Sequence, residues 1–320
     1  MYTEKQLYAN MDEVFFRNSG DIIAQLKAYK NLIKYNIENK KQIEANYAVG
    51  ADLSLLPKIV ELENQKNSRL NLYIAKSPNE LIQKIIELRN KNETSARFIV
   101  GTGNNDLTHF IALDYRKLEG NPSLIGIESA TIISSDERGN VPSMLINDIK
   151  LLLKTNNLNI PLIVISSDVQ KSMGECIIFS IFFCKKMFKH SIYLNNLRKS
   201  EKFMRNDFIQ DGFTPTASSN IFFPPEFMKH TQSKSRLNDY LSRLEKFKYL
   251  DMNTLKVNNK GDKLMEYFNR HKIVGEVRSQ NPENKCQQKN YSNSIEIKRQ
   301  KIINSVLDAY NTREDFFDKK

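Results

Sequence analysis

Apolar positions along the chain follow two different periods. From Gly20 to about Tyr47 the pattern is helical: Ile22, Ile23, Leu26, Tyr29 and Ile33 recur at spacings of one, three and four, with charges on the other face. Alternating elements then follow. Leu70 to Ala75 reads as a strand, and Ser77-Pro78 opens a helix carrying Leu81, Ile82, Ile85, Ile86 and Leu88. Arg97 to Val100, His109 to Tyr115 and Leu124 to Glu128 read as strands, punctuated as turns by Gly101, Gly103, Gly120, Asn121 and Pro122. A helix from Ser143 to Lys154 leads into a buried strand, Leu162 to Ile165, and then an apolar helix from about Glu175 to Phe188.

These elements predict an α+β core with a small, mainly antiparallel sheet and flanking helices. Beyond Phe222 the chain turns helical and rich in Lys and Asn, with helices near Arg236 to Tyr249 and Ile295 to Tyr310 and a polar loop over Ser279 to Ser294. The first 15 or so residues carry no sustained apolar stripe and are predicted to be mobile.

No apolar stretch approaches the ~20 residues of a membrane span; the most apolar run, Cys176 to Cys184, ends at Lys185 and Lys186. No Sec-type signal peptide is visible in MYTEKQLYANMDE, and Tyr2 stands where N-myristoylation requires glycine. A formal charge of +11 and a pI near 9.3 leave nucleic acid, acidic lipid and a small polyphosphate all open as anionic partners. The three cysteines, Cys176, Cys184 and Cys286, form neither a CxxC pair nor a disulfide framework, which suits a reducing compartment.

Histidine is scarce, with only His109, His190, His230 and His271, and no Cys/His grouping has metal-ligand spacing. GTGNN at 101–105 lacks the Lys-Ser/Thr of a phosphate loop and reads as a turn. Cys176 follows a strand and a polar turn and begins an apolar helix, where backbone N–H groups favour a thiolate. Such a cysteine is either structural or a nucleophile. A nucleophile needs a base and the base an orienting acceptor; His109 opens one strand and Glu128 ends the next, so adjacent strands could bring them together. Each alone is an ordinary strand-end residue, whereas the ordered trio is harder to dismiss. Gln170, six residues before Cys176, is either an oxyanion donor or a turn residue.

DVQKSMGECIIFSIFFCKKMF (168–188) resembles the cysteine block of the YopJ family of type III secreted effector acetyltransferases. ARFIVGTG…HFIALDYR (96–116) and SLIGIESAT (123–131) are similar to the family's histidine and glutamate blocks, and FFPPEFMKHTQSKSRLNDYL (222–241) to a fourth. With weaker similarity at LLPKIVELEN (55–64) and KVNNKGDKLMEYFN (256–269), the resemblance spans about two-thirds to three-quarters of the chain. Two departures stand out: Ile177 where the family usually has Gly, and an extra residue in LTHF before the histidine.

The resemblance implies a papain-like cysteine-protease core of the ubiquitin-like-protease type with a helical regulatory lobe. Cys176 would be the nucleophile, His109 the general base, Glu128 its orienting partner and Gln170 the oxyanion-hole glutamine. Acetyl-coenzyme A would be the co-substrate and inositol hexakisphosphate (IP6) the activator, held by Lys171 and His230, with Arg236 and Lys66 as further contacts and Lys229 as an autoacetylation site. Boundaries implied are a mobile secretion segment (1–18), a core (70–222) and regulatory parts at 19–69 and 223–320. The implied partners are host signalling proteins such as MAP kinase kinases, met in the host cytoplasm, and nucleic acid is not among them. A cysteine protease acting on ubiquitin-like conjugates is the alternative with the same triad; a basic, non-catalytic scaffold is the third reading.

Overall fold

Thr3 caps the first helix, α1 (Glu4–Met11): its hydroxyl accepts from the Gln6 N–H, and the Gln6 side chain accepts from the Thr3 N–H. The computed structural model describes residues 2–17, 20–103, 108–132, 141–200, 213–214, 223–247, 256–258, 260–277 and 287–317. Contrary to the mobile start expected from polarity, α1 and the π-helical turn Asp12–Arg17 bury Leu7, Met11 and Phe15. These three side chains recur every four residues, too sparse to stand out in composition but enough to form one buried face. The helix expected from Gly20 to Tyr47 is divided into α2 (Ile22–Glu38), capped by Asp21, and α3 (Ala45–Lys66).

Among the described residues, six strands form the central sheet in chain order: β1 (Leu72–Ala75), β2 (Ser95–Gly101), β3 (Phe110–Leu118), β4 (Asn121–Glu128), β5 (Leu162–Ser166) and β6 (Phe213–Thr214). The sheet is mixed rather than mainly antiparallel. Only β2–β3 and β3–β4 are antiparallel, whereas β1–β2, β4–β5 and β5–β6 are parallel. Parallel neighbours need a crossover, supplied between β1 and β2 by α4 (Pro78–Asn90) and between β4 and β5 by α5 (Val141–Thr155).

Period-2 alternation divides the sheet residues between two cores. Phe98, Val100, Ile111, Leu113 and Val164 pack with Leu81, Ile85, Ile146 and Ile149 of α4 and α5. Ile99, Phe110, Ala112, Ile127 and Ile165 face the other way, onto α6 (Cys176–Lys189) and the helical part. Next, α7 (Ser191–Lys199) is tied to the sheet by Arg198, whose Nη2 donates to Asp114 Oδ2 at 2.6 Å. Arg97 Nε donates to the other oxygen of the same buried carboxylate at 2.7 Å.

The C-terminal part contributes α8 (Lys234–Phe247), α9 (Leu264–Arg270) and α10 (Ser294–Phe317), with α10 packed along α2 and against α3 and α6. Part of the loop expected over 279–294 is instead the strand β8 (Gln287–Ser292), paired antiparallel with β7 (Lys272–Val277). The segment QQKNYS has no apolar alternation, so only its backbone pairing defines it as a strand. Cys286 and residues 104 and 105 of GTGNN lie outside the described residues.

Candidate active site

Three chain segments converge at one end of the sheet. Parallel pairing sets Glu128 at the end of β4 beside Ser166 at the end of β5, and the chain leaving β5 returns as α6, whose first residue is Cys176. Antiparallel pairing of Ala112 with Ile127 brings the entry to β3, and with it His109, to the same edge. All three side chains are buried, Cys176 with 3 % of its surface exposed and Glu128 with none.

His109 Nε2 lies 2.8 Å from Glu128 Oε2, and the imidazole also hydrogen-bonds Cys176, to which it can offer Nδ1. The second Glu128 oxygen accepts the Ala130 N–H at 2.7 Å, which fixes the carboxylate plane. Burial disfavours a charged imidazole, but the Glu128 carboxylate and then the bond with Cys176 outweigh it, and the His109 pKa is pushed up to about 10. The arrangement is therefore a buried carboxylate, a cationic imidazole and a sulfur in sequence. Cys184 is unlike Cys176: its thiol is buried inside α6 against the Phe98 carbonyl, and burial pushes its pKa far upward.

Gln170 sits on the loop between β5 and α6. Its Oε1 accepts from Ser129 Oγ at 2.8 Å and its Nε2 donates to the Ser172 carbonyl at 2.9 Å. Among the described residues, the second N–H of that amide has no acceptor.

The loop before Cys176 is braced from outside the sheet. Gly174 has φ +94°, and a Cβ there would lie 3.1 Å from Ala48 Cβ and 3.2 Å from Ala45 Cα of α3, so glycine is required by both backbone and space. The Gly174 carbonyl accepts from Arg299 Nη2 at 2.8 Å. Arg299 of α10, fully buried, also donates to Asp52 of α3 at 3.1 Å and to Glu296. Glu175 bonds Ser172 and lies against Glu296; burial and then the Glu296 charge push its carboxyl well above the usual range.

A second feature is a basin of about 340 Å³ between α6, the turn 229–230, α9 and α10. Six lysines line it (Lys185, Lys186, Lys189, Lys229, Lys298 and Lys301) together with His230, Tyr267 and Ser294. Among the described residues, two carboxylates answer them: Glu226 bonds Lys186 and Lys189, and Glu63 bonds Lys185. Burial first, then mutual repulsion, depresses Lys229, takes Lys298 down to about 8 and holds His230 well below the ordinary histidine range. Concentrated positive charge under that much desolvation favours a polyanion.

The residues anticipated as phosphate contacts are not all together. His230 lines the basin, as does Lys229, whose ammonium lies 4.8 Å from the Tyr267 ring centre. Lys171 is not among the lining residues and bonds Asp168 at 2.5 Å; Arg236 is buried, donating to the Ser167 carbonyl at 2.9 Å; Lys66 bonds Ser305. No sequence motif singles out Lys185, Lys186, Lys189, Lys298 and Lys301. Their signal lies in spacing instead: 185, 186 and 189, like 298 and 301, share a helix face.

A carboxylate, an imidazole and a sulfur buried in series at the edge of a mixed sheet form an arrangement suited to acyl transfer. Residues 26–305 match the family model described as YopJ serine/threonine acetyltransferase, and the chain belongs to that family. It is 28 % identical over 253 residues to the serine/threonine-protein acetyltransferase YopJ of Yersinia pestis, covering 78 % of this chain and 83 % of the relative. The YopJ of Yersinia pseudotuberculosis matches with the same identity and coverage. Among solved structures, AvrA delL154 with IP6 and CoA superposes with a TM-score of 0.75 at 25 % identity, covering 90 % of this chain and 99 % of that one. HopZ1a in complex with IP6 shares the fold, with a TM-score of 0.68 at 18 % identity over 96 % of this chain and 98 % of that one.

Proposed function

We propose that this chain moves acetyl from acetyl-coenzyme A to side-chain hydroxyls and amines of host signalling proteins through an acetyl-Cys176 intermediate. The observation that carries the reading is the single imidazole of His109 engaged by Glu128 on one side and Cys176 on the other. His109, as general base, takes the Cys176 proton, and the sulfur attacks the thioester carbonyl. The carbonyl oxygen takes the negative charge, and the second N–H of Gln170, whose first donates to the Ser172 carbonyl, would meet it. As the carbonyl reforms, the carbon–sulfur bond to coenzyme A breaks and the departing thiolate takes the His109 proton. His109, now neutral, accepts a proton from the substrate hydroxyl or amine, which attacks the acetyl group and releases the Cys176 sulfur.

The lysine basin is the proposed site of IP6, supported by its charge and by the AvrA relative solved with that ligand. Its lysines and His230 would hold the phosphates, and the bound ligand would supply negative charge and nothing to the chemistry. Acetylation of Lys229 would remove one basin charge. Residues 70–222 form the catalytic part in this reading, and 19–69 with 223–320 the regulatory part. We assign the site of action to the host cytoplasm after secretion, with MAP kinase kinases as the first substrates to test.

Purified wild type and Cys176→Ala are incubated with labelled acetyl-coenzyme A, with and without IP6. The expected result is IP6-dependent label on wild type and none on the variant. Label on both, or on neither, would count against the proposal, and ubiquitin-probe labelling of Cys176 without acetyl transfer would mark the protease instead.

A further inference from the structure

Gln232 is the side chain through which the lysine basin meets the active-site loop. It lies two residues beyond His230, is 1 % exposed, and uses every polar atom it has. Its Oε1 accepts the N–H groups of Lys171 at 2.6 Å and Ser172 at 3.0 Å, and its Nε2 donates to Ser172 Oγ at 2.5 Å. Its backbone N–H donates to the Val169 carbonyl at 2.9 Å, and its own carbonyl accepts from Ser292 at 3.1 Å, beside the start of α10. One residue thus binds both sides of Gln170 and reaches Ser172, which in turn bonds Glu175 next to Cys176.

We infer that Gln232 is a positioning residue that transmits anion binding in the basin to the oxyanion loop, resting on the acetyltransferase and basin readings above. The turn carrying Lys229 and His230 is short and stiff: Thr231 Oγ1 closes it onto the Met228 carbonyl at 2.7 Å. An anion drawing Lys229 and His230 inward moves Gln232 with them. The loop amides of Lys171 and Ser172 follow, because staying behind would leave buried donors without an acceptor. The response reaches Gln170 as a change in where its free N–H points, a placement on which acyl-transfer rates depend steeply. A mere staple would hold the loop equally well with the basin filled or empty.

The experiment compares full-length wild type, Gln232→Ala and Gln232→Glu. Calorimetry reads IP6 affinity, amide hydrogen exchange reads protection at 169–172 with and without IP6, and labelling from acetyl-coenzyme A reads the rate. The alanine variant is expected to bind IP6 within about twofold of wild type, yet to lose the IP6-induced protection and at least about tenfold of the stimulated rate. Glu keeps an acceptor for both loop amides and is expected to recover most of the protection. Gln232→Asn, one methylene short of those amides, replaces the alanine variant if that one does not fold, with the same expected losses.

An alanine variant with wild-type protection and rate at saturating IP6 overturns the inference. So does one whose IP6 affinity falls more than tenfold, since Gln232 would then belong to the basin itself. Wild type that binds no IP6 sinks the basin reading and this inference with it, whereas wild type that binds and responds isolates the test to Gln232.

Discussion

Arg299 holds the carbonyl of Gly174 at 2.8 Å across 125 residues of sequence, two positions before Cys176. The guanidinium is fully buried and also serves Asp52 and Glu296, so α3, α10 and the active-site loop share one cation. Replacing it by methionine leaves two buried carboxylates without their counter-charge. Arg299→Met is expected to lower stability by about 3–5 kcal/mol, read from urea unfolding; a loss below about 1 kcal/mol would show that the carboxylates find other partners.

The triad predicts a graded series. Cys176→Ala is expected to abolish acetyl labelling and His109→Ala to lower it by roughly 10²–10⁴-fold, with Cys184→Ala within about twofold of wild type because that thiol is buried away from His109. Mass spectrometry of the labelled protein locates the acetyl group. Acetyl found on Cys184 in wild type would refute the assignment.

Glu128 controls the charge on His109, and the sign can be followed by pH. The folded imidazole titrates near 10 against an ordinary value of 6.5, so between those limits the folded chain holds a proton that the unfolded chain has released. That stabilisation is fully present below pH 6.5 and is lost as pH rises through 10. Glu128→Gln removes the largest factor favouring the charge, so the His109 resonance is expected to titrate lower and the melting temperature to fall less between pH 6.5 and 10. An unchanged His109 titration in this variant, followed by NMR, is the adverse outcome.

Proton uptake should accompany anion binding in the basin. Lys298 is depressed from 10.5 to about 8, first by burial and then by Lys185, and phosphate nearby would restore it. Binding is therefore expected to absorb protons at pH 8–9 and to weaken as pH rises through that range. Calorimetry in two buffers of different ionisation enthalpy measures the uptake directly, and identical heats in both would rule it out. Lys298→Met is expected to abolish most of it.

The residues of the proposed triad were legible in the sequence because they terminate elements with strong local signals. His109 precedes the alternating run FIALDY, Glu128 ends SLIGIE, and Cys176 opens the most apolar helix of the chain. Strand direction was less legible, since β4 and β5 are parallel only by virtue of the long excursion through α5. The basin was hidden for another reason. Its lysines are divided among α6, the 229–230 turn and α10, and in a chain with 48 basic residues a pair or trio sharing one helix face does not stand out. Gln232 and Arg299 were invisible as well, because their importance lies in partners 60 and 125 residues away.

The order of the chain adds a consequence of the bracing around Gly174. By the end of α6 at Lys189, a ribosome has supplied Cys176, His109 and Glu128, but neither Gln232 nor Arg299. The reactive sulfur is thus synthesised well before the contacts that shape the loop in front of it. A nascent chain, or a fragment ending at 222, carries His109, Glu128 and Cys176 without the contacts of Gln232 and Arg299, and the loop before Cys176 gains its last brace only with α10.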